Sequence, residues 1–122
     1  MSTRILVIED DPINLELMDF LLRTVGYVPS LARDGVEGLA VARRDRPDLI
    51  VSDILMPNMD GYEVARRIRS DPELRRTPLL AVTALAMAGD KEKILEAGFD
   101  GYISKPLNIQ NFVAQIRAFL ER

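Results

Sequence analysis

The stretch Ile5-Leu6-Val7-Ile8-Glu9-Asp10-Asp11-Pro12 decides how the rest of the chain is read. A short unbroken apolar run with no polar alternation reads as a strand buried on both faces. It stops abruptly in three acids. Asp11-Pro12 then marks a helix start: an acid at the N-cap, followed by proline where a missing N–H does no harm. Strand, acidic strand end and helix start follow one another without a linker.

Working outward, the same alternation recurs. Leu49–Val51, Leu79–Val82 and a weaker Tyr102–Ile103 are further apolar runs, and Val28–Ala32 is a candidate second strand. Segments of helical spacing lie between them. Leu17, Met18, Leu21, Leu22 and Val25 form one stripe; Ile109, Phe112, Val113, Ile116, Phe119 and Leu120 form another. Asp34-Gly35-Val36-Glu37 and Asp60-Gly61-Tyr62-Glu63 resemble capping boxes, and Gly26 and Gly98 stand where helices stop. The order predicts an α/β domain, (βα)5: an open, doubly wound, five-stranded parallel sheet with helices on both faces. Ligands of such sheets bind beyond the carboxyl ends of the strands.

The 122 residues suit one domain over 1–122, and 48% hydrophobic content suffices for its core. A net charge of −3 offers no general attraction to nucleic acid or anionic lipid. No apolar run approaches the roughly 18 residues of a membrane span, and none reads as a signal peptide. Cysteine and histidine are both absent. Disulfides, thiolate metal sites, imidazole catalysis and phosphohistidine are thereby excluded. A cytoplasmic setting is expected.

The predicted strand ends gather chemistry. Glu9, Asp10 and Asp11 end the first strand, Asp53 the third and Thr83 the fourth, while Lys105-Pro106 follows the fifth. Asp11 is read as a helix cap. Glu9, Asp10 and Asp53 come from different strands to one place, where two charges about 5 Å apart repel by roughly 3 kcal/mol at an effective dielectric of 20. A hard divalent cation such as Mg²⁺ relieves that repulsion. Asp53 is a candidate covalent nucleophile toward phosphorus, Thr83 a hydrogen-bonding hydroxyl and Lys105 a neutralising charge.

Ile-Leu-Val-Ile-Glu-Asp-Asp at 5–11, Asp53, Met-Pro-Asn-Met-Asp-Gly at 56–61, Ala-Val-Thr-Ala at 81–84 and Lys-Pro at 105–106 together resemble the receiver domain of bacterial two-component response regulators. The resemblance covers almost the whole chain. It implies the flavodoxin-like, CheY-like strand order 2-1-3-4-5. It makes Asp53 the phosphoacceptor, with Mg²⁺ held by Glu9 (through water), Asp10, Asp53 and the Leu55 carbonyl. Thr83 and Lys105 match the catalytic hydroxyl and lysine, and Thr83 and Tyr102 the switch pair. Lys105–Pro106 is expected to be cis. Leu55 and Leu85 match the positions that set dephosphorylation rate. Glu9 departs from the commoner Asp. The 81–90 segment is most similar to stand-alone receivers of the DivK kind, which control cell-cycle kinases by protein contact; hybrid-kinase receivers share it.

Implied partners are a histidine kinase or histidine phosphotransferase, and a downstream protein met through the fourth helix, fifth strand and fifth helix. The chain is expected to carry no output domain, to be a monomer or weak dimer, and to touch neither nucleic acid nor membrane. Two rival readings fit less well. An aspartyl-nucleophile phosphatase wants a second acid where Leu55 stands. An FMN carrier wants a phosphate cradle where the acids stand. No G-x-x-x-x-G-K-[ST] loop occurs. Arg66, Arg67, Arg69, Arg75 and Arg76 read as a solvated face balanced by Glu63, Asp71 and Glu73. Met56, Met59 and Met87 read as core fillers, with Met87 alternatively joining Leu85 and Ala86 on a partner surface.

Overall fold

The computed structural model describes residues 2–85 and 88–121. Five strands and five helices alternate: β1 Arg4–Ile8, α1 Pro12–Thr24, β2 Val28–Ala32, α2 Gly35–Asp45, β3 Leu49–Asp53, α3 Gly61–Ser70, β4 Leu79–Thr83, α4 Asp90–Ala97, β5 Gly101–Ser104 and α5 Ile109–Leu120. The strands form one parallel sheet in the order β2-β1-β3-β4-β5. Pro29 is tolerated because β2 lies at the edge.

The unbroken apolar runs are explained by two cores. Leu6, Ile8, Ile50, Leu79 and Ala81 face the cluster under α2, α3 and α4. Ile5, Val7, Leu49, Val51, Leu80 and Val82 face the cluster under α1 and α5. Alternate residues serve opposite faces, so these runs need no polar alternation. Met56 is buried in the first cluster and Met59 packs against it. Met87 and Ala86, and with them the proposed surface they share with Leu85, lie outside the described residues.

The helix caps agree with expectation only in part. Asp11 accepts from Ile13 N–H, and Asp34 and Asp60 accept from the N–H groups of Glu37 and Glu63. Neither glutamate completes a box. Glu37 Oε1 takes Arg33 N–H at 2.6 Å, one residue early, and Glu63 is engaged by Arg66 and Arg67.

The arginine cluster also differs from a uniformly solvated face. Asp71 and Glu73 pair with Arg43 and Arg46, not with the α3 arginines. Arg69 is largely covered. It donates to the carbonyls of Gly98 (2.9 Å), Arg75 (2.8 Å) and Thr77 (2.7 Å) and to Asp100 (2.9 Å). One guanidinium thereby ties the end of α3 to the loop before β4 and the turn before β5. Its five fixed donors suit such a junction.

Candidate functional site

The carboxyl ends of β1, β3 and β4 meet the β5–α5 connection at one point, because the sheet places β1 beside β3 and β3 beside β4. Glu9 is buried at the end of β1, its backbone N–H held by Ala32 C=O at 3.0 Å. Asp10, next in the chain, is exposed. Asp53 is the last residue of β3 and is 5% exposed. Carboxylate oxygens of Glu9, Asp10 and Asp53 all lie within 4.8 Å of one another.

Each Asp53 oxygen is held. Oδ1 accepts from the N–H groups of Ile54 (2.7 Å) and Leu55 (3.3 Å); Oδ2 accepts from Lys105 Nζ at 3.0 Å. The same ammonium lies 2.8 Å from Glu9 Oε1. That contact is an ion pair, and among the described residues this buried oxygen has no well-aligned hydrogen-bond donor. Glu9 Oε2 accepts from Asp11 N–H at 3.2 Å. Burial pushes Glu9 up to about 7; the Asp53 charge adds to this, and Lys105 opposes it. Burial alone would lower Lys105, but Glu9 and Asp53 outweigh it and leave Lys105 above the ordinary lysine value.

Thr83 is fully buried at the end of β4, and its Oγ1 accepts from Leu85 N–H at 3.1 Å. Thr83 C=O accepts from Lys105 N–H at 2.8 Å, joining the β4 and β5 loops. The Lys105–Pro106 peptide is cis. Leu55 is exposed, whereas Leu85 packs partly against the α2–α4 core. Tyr102, half-buried on β5, packs against that core and borders two clefts of about 260 and 350 Å³ along α5. A cavity of about 800 Å³ lies at the amino-terminal end of the sheet beside Asp48 and Asp100 and has no part in this cluster.

Residues 5–117 match the model of the response regulator receiver domain. The chain belongs to that family. The polar-differentiation response regulator DivK of Brucella anthropi is 41% identical over 120 residues, covering 98% of each chain. DivK of Brucella ovis is 40% identical over the same extent. Among solved structures, chemotaxis protein CheY4 of Vibrio cholerae superposes with a TM-score of 0.92 at 28% identity, covering 98% of this chain and 99% of that one. The receiver domain of a Pseudomonas aeruginosa sensor histidine kinase, crystallised with magnesium in its active-site cleft, gives 0.91 at 34% identity over the whole of both chains.

This receiver's acidic cluster is chemically fit to hold a divalent metal ion. It offers oxygen donors alone, one of them exposed and one a buried oxygen without a hydrogen bond. Sequence reasoning did not identify Ser52, buried beside Asp53, whose hydroxyl donates to Asp53 C=O at 2.9 Å. A serine inside an apolar run was the available signal. Among the described residues no helix is long and apolar enough to cross a membrane.

Proposed function

We propose that the chain is a phosphorylation switch that receives a phosphoryl group on Asp53 from a phosphohistidine of a kinase or phosphotransferase. The supporting observation is the hold on Asp53: two backbone N–H groups on one oxygen, an ammonium on the other, two further carboxylates alongside. In transfer, an Asp53 oxygen forms the new bond to phosphorus as the donor P–N bond breaks, and that bond's electron pair leaves with the imidazole nitrogen. Glu9, Asp10 and Asp53 would hold Mg²⁺, which would neutralise the carboxylate and phosphoryl charge. Lys105, which meets Asp53 Oδ2 at 3.0 Å, would balance a phosphoryl oxygen once the carboxylate is phosphorylated. Leu55 has no acidic proton to give, which argues against a turnover phosphatase.

The signal leaves through Thr83. Its hydroxyl, which now accepts from Leu85 N–H, would donate to a phosphoryl oxygen, moving the loop after β4 and freeing space for Tyr102 to turn inward. The clefts beside Tyr102 would then change shape, and a downstream protein would read them. Exposed Ile13 on the first turn of α1, Leu55 and Ile109 on the first turn of α5 give the site an apolar rim on which a donor protein can dock.

Acetyl phosphate with Mg²⁺ should add one acid-labile phosphoryl group, and Asp53→Asn should abolish the addition. Labelling that persists in the variant would remove the reading.

A further inference from the structure

Gly61 opens α3 and stands against the backbone that carries Asp53. A Cβ built at this position would lie 2.4 Å from Asp53 C=O and 2.7 Å from Ile54 Cα. Both are backbone atoms of the segment leaving β3, and neither can rotate away. The two segments are also bonded: Gly61 N–H donates to Ile54 C=O at 2.9 Å, and that carbonyl accepts Met56 N–H at 3.1 Å. The crowded Asp53 carbonyl already takes the Ser52 hydroxyl. Ile54 and Leu55, whose N–H groups orient Asp53 Oδ1, follow directly.

Gly38 makes an instructive contrast. A Cβ there would crowd Ile8 Cδ1 and, at 2.8 Å, Ile8 Cγ1, but these are side-chain atoms. The Gly38 clash falls on a side chain and relaxes by repacking Ile8 with the strand and helix backbones in place. The Gly61 clash relaxes only by moving the end of β3 or the start of α3.

We propose that Gly61 is a positioning residue for the phosphoacceptor: its missing side chain lets the first turn of α3 clamp the Asp53–Leu55 backbone and fix the carboxylate's aim. The inference rests on the proposed function above. It assigns a role to a residue that touches neither phosphoryl group nor metal.

The test compares native chain, Gly61→Ala and Gly38→Ala by circular dichroism, thermal melting, Mg²⁺ titration followed by NMR, and phosphorylation by acetyl phosphate. Gly61→Ala should keep the native circular dichroism yet bind Mg²⁺ roughly tenfold more weakly and label correspondingly more slowly. Gly38→Ala should lose melting temperature but keep Mg²⁺ affinity within about twofold of native. Equal Mg²⁺ affinity in native and Gly61→Ala chains, or equal weakening in both variants, would overturn the proposal. If Gly61→Ala fails to fold, the native chain still decides. The Gly61 amide should shift with Mg²⁺ at the same midpoint as the Ile54 and Leu55 amides while the Gly38 amide stays still, and a stationary Gly61 amide would contradict the clamp. A native chain that neither binds Mg²⁺ nor becomes labelled would instead refute the proposed function.

Discussion

Arg69 and Glu9 are both charged side chains largely withdrawn from water, and the molecule treats them in opposite ways. Arg69 serves the amino-terminal edge of the sheet and meets four acceptors, three of them carbonyls of loops. Glu9 lies at the carboxyl edge, where its buried Oε1 is met by the Lys105 ammonium that Asp53 also uses. A buried charge that only holds a fold together is normally given its full set of partners. Glu9 is not, and its carboxylate is held in a state that resists ionisation until near neutrality. The difference teaches where stability has been yielded to function: the incomplete partnering is confined to the end of the sheet where a cation and a phosphoryl group can complete it.

Removing the Arg69 junction should have the largest effect on folding. Arg69→Met keeps the aliphatic stem but strands the part-buried Gly98 and Thr77 carbonyls, and it should cost about 3 kcal/mol in urea unfolding. Its Mg²⁺ affinity should stay within about twofold of native. A stable variant, or one with weakened Mg²⁺ binding, would break the division between structural and functional charge.

Glu9→Gln should act in the opposite direction. The folded Glu9 pKa is raised from 4.5 to about 7, so between those values the folded state binds more protons than the unfolded chain. Stability contributed by this group is therefore present at acid pH and falls as pH rises through that window. Without divalent ions, the variant should be about 2 kcal/mol more stable than native near pH 8, with the fall between pH 4.5 and 7 flattened. Urea titrations across that range are the check. A destabilised variant at pH 8 would mean that the Lys105 contact outweighs the burial of Glu9.

The extent to which the sequence was legible follows the same division. Strands were readable because residues such as Ile5 to Ile8 are covered on both faces, and nothing interrupts their apolar character. The carboxylate cluster was readable because a parallel sheet brings its strand ends to one edge, and the family resemblance implied the strand order that sets Glu9 beside Asp53. Arg69 was not readable. Its role depends on three loops converging, while in the sequence it is one arginine among several on a basic helix. The incomplete capping boxes were misjudged for a related reason: Glu63 has two arginines within reach on its own helix, and they outcompete the cap N–H.

The smallest expected effect concerns lifetime. Leu55 is exposed, and like Leu85 it cannot orient an attacking water. Leu55→Asn should speed loss of the phosphoryl group by roughly tenfold, about 1.4 kcal/mol of barrier. Leu85→Glu should add to this while costing stability, because Leu85 packs against the core. Decay of the labelled chain in Mg²⁺ measures both, and unchanged rates would show that these leucines do not govern the lifetime.

The phosphoacceptor itself is tested most directly by trapping the product. An acyl phosphate is reduced by borohydride to an alcohol, which converts a modified aspartate into homoserine. After incubation with acetyl phosphate and Mg²⁺, then reduction, peptide mass spectrometry should find homoserine at position 53. Reduction at Glu9, Asp10 or another carboxylate, with Asp53 untouched, would contradict the account.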